Sequence, residues 1–275
     1  MVAKEATEFG IMKVNNEGYI EKFIEKPKAD LLPQWVSPVP KEDKKKGKVY
    51  LASMGIYIFS KDTLKKLFEE NPTANDFGKE IIPATIQSGR KVAGYLYNGY
   101  WTDIGNIGSF FDANLELTDN LPKFNLFDEE NRIFTRARML PPSKFFGSKL
   151  TKAVVSEGVI CHGKSIERSI VGVRSRIGDK TTLKNVIMMG ADYYEHILEL
   201  IKPGRVNMGV GKNCHIERTI IDKNCKVGNN VTIIGHPSLP KTETESYCII
   251  DGIVVLKKGC TIADGTKIGD RKSVV

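Results

Sequence analysis

A glutamate and a lysine stand side by side at the end of Phe23-Ile-Glu-Lys-Pro27, and the proline closes the segment into a turn. A strand ending there fixes both head groups in one place. The lysine is a point charge suited to a phosphate, and Glu25 can accept hydrogen bonds from sugar hydroxyls. One charge-assisted hydrogen bond of this kind is worth roughly 1.5–3 kcal/mol, tenfold or more in affinity. On these five residues alone, an exposed Glu-Lys pair before a turn is the simpler reading. Ser53-Met-Gly55 offers a hydroxyl beside a glycine that lets a ligand approach the backbone, although close strand packing would also explain the glycine. Asn75-Asp-Phe-Gly-Lys-Glu-Ile-Ile-Pro83 places Asp76 before a short helical stretch, where capping is an aspartate's commonest role. Tyr100-Trp-Thr-Asp-Ile-Gly105 sets Asp103 between a tryptophan and an isoleucine. An aspartate in so apolar a setting must be paired, and a structural partner or a divalent metal would serve equally well.

The elements that must position these groups differ between the two parts of the chain. In the first 120 residues, Gly18 separates Phe9–Val14 from Tyr19–Ile24, two alternating segments that predict a β-hairpin. Val49–Phe59 is a near-continuous apolar run of the kind buried in an α/β sheet. Lys61–Glu70 carries Leu64, Leu67 and Phe68 at helical spacing, with Asp62 near the amino end, and Ile107–Leu117 repeats the pattern with Phe110, Phe111 and Leu115. A proline-containing connector follows, with Pro122, Pro141 and Pro142. The expected division is therefore 1–120, a connector over 121–149, and a second domain over 150–275.

In that second domain apolar residues return at every sixth position. Val154, Ile160 and Ile166 are followed after a five-residue step by Val171, Ile177 and Leu183. Val210, Ile216, Ile221, Val227 and Ile233 resume the pattern, and Ile250, Leu256, Ile262 and Ile268 complete it. Neither an α-helix nor a single strand has this period; a parallel β-helix does, each hexad giving one short strand and one turn. Three hexads close a triangular coil that is stable only when stacked on its neighbours. Lys202–Val206, with Pro203 and Gly204, reads as a loop extruded between coils.

Composition narrows the classes. The chain has 275 residues, 41% hydrophobic and 27% charged, enough for two ordinary cores. No run of 18 apolar residues and no apolar amino-terminal stretch occurs, so a cytoplasmic protein without a membrane span is expected. Five cysteines, Cys161, Cys214, Cys225, Cys248 and Cys260, lie in the repeat without a C-x-x-C pair, which predicts reduced buried or corner thiols. The net charge of +8 draws on Lys41–Lys48, a lysine-rich stretch free of aromatics that predicts a solvated loop. Nucleic acid is not expected as a partner, because single-strand binders interleave aromatics with their basic residues. A diffuse positive field also suits sugar phosphates and nucleotides.

Taken in order, F-I-E-K-P, L-A-S-M-G-I-Y-I-F, N-D-F-G-K-E-I-I-P and G-Y-W-T-D-I-G-N resemble the glucose-1-phosphate adenylyltransferase (ADP-glucose pyrophosphorylase) family. Met139–Lys144, Met189-Gly-Ala-Asp-Tyr-Tyr-Glu195, Gly209–Ile216 and Ile220–Asn224 extend the resemblance through nearly the whole chain. It implies an incomplete Rossmann-like α/β nucleotidyltransferase domain followed by an all-β, left-handed parallel β-helix. It implies an enzyme that moves an adenylyl group from ATP to glucose 1-phosphate, giving ADP-glucose and pyrophosphate for glycogen or starch. By the same resemblance, Glu25 and Lys26 contact glucose 1-phosphate, Lys26 at the phosphate, with Gly10 and Ser53 as further contacts. Asp76 lines the sugar pocket and Trp101 shapes its floor. Asp103 is one of two aspartates that hold Mg²⁺, and no side-chain nucleophile is required. Arg136, Arg138, Lys223 and Lys257 match regions that contact small anionic effectors, although lysine at a β-helix corner is equally a solvated residue. The family implies a homo- or hetero-tetramer, in a plastid if the source is a plant or alga.

The chain departs from the family in one respect. The Gly-rich segment of the form G-G-x-G-x-R-L-x-P-L-T, the first metal-binding aspartate and the adenine contacts are not found in it. The expectation is a fragment, or one half of a pair, that does not turn over alone. Two other readings are a regulatory or assembly subunit, favoured by the missing segment, and a hexapeptide-repeat acyltransferase with His236 as base. Nothing in the repeat calls for an acyl donor, and fold does not fix chemistry.

Overall fold

Alternation on either side of Gly18 folds Phe9–Ile24 into the expected hairpin. In the computed structural model, which describes residues 1–269, Gly10–Val14 pairs antiparallel with Ile20–Glu25, placing Gly10 opposite Glu25. Gly18 takes a φ of +85°, a conformation that a Cβ disfavours. Leu51–Ala52 joins the other edge of Gly10–Val14 to complete a three-stranded sheet. Ala6, Ile11, Leu32 and Tyr50 bury its core.

Two expectations for this region need correction. The apolar run Val49–Phe59 is not one buried strand: only Leu51–Ala52 pairs, and Ile56 and Ile58 are 71% and 96% exposed. Past Ser53 no neighbouring strand among the described residues takes up its backbone groups, so hydrophobicity without a ladder partner leaves the run irregular. The lysine-rich stretch is not wholly a loop either, because Lys41–Lys45 forms a short helix behind Pro40; it is solvated, with no buried residue. The helix Lys61–Glu70 forms over its predicted span, and Ser60, not singled out from sequence, caps it by accepting from the Thr63 N–H at 3.4 Å.

The chain divides into two compact units, Met1–Trp101 and the stretch from Thr102 onward. The helix Ile107–Glu116 belongs to the second. Its Phe111 and Leu115 pack on Ile187, Ile220 and Ile253 of the β-helix, and the Arg218 guanidinium lies 5.5 Å over the Phe111 ring. Amphipathic spacing had identified the helix but could not say which surface receives it.

Parallel pairing of short strands builds the second unit. Ile166, Leu183, Ile216, Ile233 and Ile268 stack in one column of neighbours. Val155, Val171, Met188, Ile221 and Leu256 form the second column, and Cys161, Ile177, Val210, Val227 and Ile262 the third. These columns correct the predicted register at three positions. Val154 and Ile160 are only half-buried, while their successors Val155 and Cys161 occupy the inward columns. Ile250 is half-buried near the turn of an antiparallel hairpin, Tyr247–Ile250 with Ile253–Leu256. A five-residue step can fall at more than one corner, so apolar identity alone does not fix the register. Corners turn through left-handed residues, among them Lys152, Arg168, Asn185 and Arg218 on one edge, and Arg174 and Asn224 on another. The loop predicted at Lys202–Val206 does leave the coils, and the Arg205 guanidinium closes it with a 2.6 Å contact to Glu195, a carboxylate buried to 3% exposure. That pair carried no sequence signal.

Candidate functional site

Glu25 ends its strand opposite Gly10, and the reason position 10 is glycine is visible in the packing. A Cβ there would lie 2.6 Å from the Phe23 ring and 2.7 Å from Glu25 Oε2. Gly78 approaches the same carboxylate from another segment; its Cβ would lie 3.2 Å from Glu25 Oε2 and 3.5 Å from Asp76 Oδ1. Ser53 is tied to the same strand, its N–H donating to the Gly10 carbonyl at 2.7 Å. Its hydroxyl lies 3.1 Å from that of Tyr57 and accepts from the Gly55 N–H at 3.2 Å. Gly10, Glu25, Ser53 and the Asp76–Gly78 turn therefore meet at one end of the three-stranded sheet.

Lys26 follows with a φ of +46°, left-handed and costly for a residue with a side chain. Its N–H donates to the Phe9 carbonyl at 3.1 Å, which holds the backbone there. The Phe9 ring in turn meets Trp101 edge-on, ring centroids 5.5 Å apart. Pro27 is buried while Lys26 is exposed, so the turn directs the ammonium to solvent. Among the described residues neither the Lys26 ammonium nor the Glu25 carboxylate has an intramolecular partner, which leaves both free to meet a ligand.

Asp76 caps the helical turn Phe77–Ile81, its Oδ1 accepting from the Lys79 N–H at 2.8 Å. Glu80 returns the favour, its Oε2 accepting from the N–H groups of Asn75 and Asp76. This reciprocal arrangement resembles a capping box, with the returning carboxylate one residue later than in the usual motif. It fixes the turn that carries Gly78, and Glu80 was not identified from sequence.

Asp103 departs from its predicted environment. It is exposed, Ile104 beside it is 53% exposed, and Oδ1 accepts the Gly105 N–H at 3.2 Å, so among the described residues no apolar enclosure forms. It lies in the second unit, whereas the sheet-end residues lie in the first. Mg²⁺ is usually held by one or two carboxylates together with phosphates and water. Asp103 fits as one such ligand; no group of three His, Cys, Asp or Glu residues able to hold a metal occurs among the described residues.

A second polar site lies in the β-helix unit. Arg136, Arg138 and Arg174 line a cleft with Asp192. Lys223 donates to Asp192 Oδ1 at 2.8 Å and Asn224 to Oδ2 at 2.9 Å. These hydrogen bonds, that of Lys223 foremost, hold the Asp192 carboxyl below the ordinary aspartate range. Arg136, Arg138 and Lys223 thus belong to one neighbourhood, joined by Arg174 and Asp192, which sequence reasoning missed. Lys257 is engaged elsewhere, with the Glu243 carboxylate and the Thr244 carbonyl. His236 sits in a local turn, its Nδ1 2.8 Å from the Ser238 hydroxyl.

Comparison with known proteins matches two stretches of the chain. Residues 1–120 match the nucleotidyl transferase family, and residues 138–267 match the GLGC left-handed parallel β-helix domain. The chain is 40% identical, over 279 aligned positions, to the chloroplastic/amyloplastic small subunit of glucose-1-phosphate adenylyltransferase of Triticum aestivum. The alignment covers 98% of this chain and 59% of that protein, so the chain spans somewhat more than half the length of this curated relative.

Proposed function

We propose that the chain is a nucleotidyl transferase carrying a GLGC-type left-handed parallel β-helix, the two families that its residues 1–120 and 138–267 match, and that its sheet-end site binds glucose 1-phosphate for adenylyl transfer from ATP. The single observation that carries this reading is the Glu25 carboxylate seated between Gly10 and Gly78, with the uncommitted Lys26 ammonium next in the chain. Lys26 holds the phosphate, Glu25 accepts from glucose hydroxyls, and Ser53 and Gly10 line the approach. Trp101 supports Phe9 and so the Lys26 turn. Asp76 holds the turn that borders Glu25, and its Oδ2 is left for the sugar.

In the proposed reaction a phosphate oxygen of glucose 1-phosphate attacks the α-phosphorus of ATP and pyrophosphate departs, giving ADP-glucose for storage polysaccharide. Positioning and charge neutralisation do the work, with no covalent enzyme intermediate. Mg²⁺, held in part by Asp103, would neutralise the phosphates. Every residue in the sheet-end site acts on the sugar-phosphate side; the residues that take the nucleotide are outside this reading.

The cleft of Arg136, Arg138 and Arg174, with Lys223 beside it on Asp192, is proposed to bind a small anionic effector such as a sugar phosphate or inorganic phosphate. The wheat relative is named as a small subunit, which supports a multi-subunit assembly, proposed here as a tetramer. That relative's name also places it in chloroplasts or amyloplasts; a plastid is the proposed compartment for a plant or algal source and the cytoplasm otherwise. Among the described residues no helix is long and apolar enough to cross a membrane.

Calorimetric titration with glucose 1-phosphate in Mg²⁺, beside Lys26→Ala, tests the central reading. Binding to the parent chain that weakens at least tenfold in the variant supports it. Equal binding by both chains would refute it.

A further inference from the structure

Two of the five free cysteines face each other across adjacent coils. Cys225 and Cys260 directly precede Lys226 and Thr261, which are partners in a parallel pair, and the Lys226 N–H donates to the Cys260 carbonyl at 2.9 Å. Their Sγ atoms lie 3.7 Å apart. Neighbouring strands run about 4.8 Å apart, and a disulfide spans Cα separations of about 4.4–6.8 Å. Rotation about the side-chain bonds can therefore bring the sulfurs to bonding distance without moving the strands. Cys225 is buried, whereas Cys260 is half-buried and open to a small reagent.

We propose that Cys225 and Cys260 are a reversible dithiol–disulfide site that reacts with low-molecular-weight disulfides. The Cys260 thiolate attacks one sulfur of the reagent, forming a mixed disulfide and releasing one thiol. Cys225 then attacks Cys260 Sγ, closing the intramolecular bond and releasing the second thiol. Two protein thiols are oxidised, one reagent disulfide is reduced to two thiols, and the two protons leave on those thiols. The environment matches this order of attack. The hydrogen bond between the two thiols holds the Cys260 thiol below its ordinary range, while that same bond and burial push the Cys225 thiol up. The other three cysteines are buried, with Cys161 beside the Ser148 hydroxyl at 3.3 Å and Cys214 beside the Gly228 carbonyl at 3.1 Å.

The bond would also join two turns of interest. The Gly259 N–H donates to the Lys223 carbonyl at 2.9 Å, and Cys225 Sγ lies 3.2 Å from the Lys257 carbonyl. Oxidation would thus clamp the corner that carries Lys223 to the corner that carries Lys257, a restraint on the edge of the basic cleft.

The test is to equilibrate the 275-residue chain in glutathione buffers of graded oxidised-to-reduced ratio, quench with acid, alkylate, and map the peptides by mass spectrometry. The expected product is a Cys225–Cys260 cross-linked peptide that accumulates with the ratio and disappears on return to reduced glutathione. In Cys225→Ser, a glutathione adduct should persist on Cys260. A parent chain that keeps all five thiols alkylatable at the most oxidising ratio would overturn the proposal. So would a glutathione adduct that persists on Cys260 of the parent chain, or a cross-link between other cysteines. The parent-chain readout decides the matter even if the serine variant does not fold.

Discussion

Glu25 Oε2 occupies the space that a side chain on its ladder partner Gly10 would need, 2.7 Å from where that Cβ would stand. Gly10→Ala must therefore move the carboxylate or the Phe23 ring. Loss of one charge-assisted hydrogen bond costs about 1.5–3 kcal/mol, so affinity for glucose 1-phosphate should fall about tenfold or more. Gly78→Ala, with its closest approach at 3.2 Å, should weaken binding less. Calorimetry on the two variants checks the order.

Asp76 has a structural task that Asn can also perform. Asp76→Ala removes the acceptor for the Lys79 N–H and should cost about 1 kcal/mol of stability, whereas Asp76→Asn should retain most of it. Denaturant unfolding of both variants separates the two cases. If the sugar pocket also uses the charge, Asp76→Asn should lose sugar-phosphate affinity while keeping its stability.

The observed register of the β-helix predicts unequal consequences for two isoleucines that looked equivalent in the repeat. Ile177→Ala empties a fully buried column position and should cost about 2–5 kcal/mol. Ile160→Ala, at a half-buried position beside that column, should cost clearly less. Chemical denaturation midpoints at equal slope provide the comparison.

At the basic cleft, the folded-state carboxyl of Asp192 titrates below its ordinary value because Lys223 and Asn224 hold its charged form. A depressed acid contributes stability above its unfolded value and loses it as pH falls through the folded one, so this interaction weakens only in the acid range. Lys223→Met should move the Asp192 titration upward, toward the ordinary aspartate range, as followed by carboxyl NMR. The same variant should bind phosphate more weakly at neutral pH, since it removes the cation that pairs with Asp192 at the cleft wall.

Much of this was legible because it is periodic or local. The six-residue repeat announced the β-helix, Gly18 the hairpin, and Asp76 its cap. Register was not legible: Val154 and Val155 are both apolar, and only strand pairing shows that Val155 faces Val171. The run to Phe59 misled because apolar content says nothing about whether a ladder partner exists. Glu80, Arg174 and the buried Glu195–Arg205 pair escaped because each acts through a contact distant in sequence or through backbone N–H groups, which leave no spacing signature. Glu25 and Lys26 were found as a pair, but the glycines that shape their surroundings became meaningful only when two separate segments met at one carboxylate.

A crystal structure of the chain grown with glucose 1-phosphate tests the central claim most directly. The account predicts the phosphate at Lys26 Nζ and a glucose hydroxyl on the Glu25 carboxylate, which stays seated between Gly10 and Gly78. A sugar phosphate seated elsewhere, with Glu25 and Lys26 facing solvent, would contradict it.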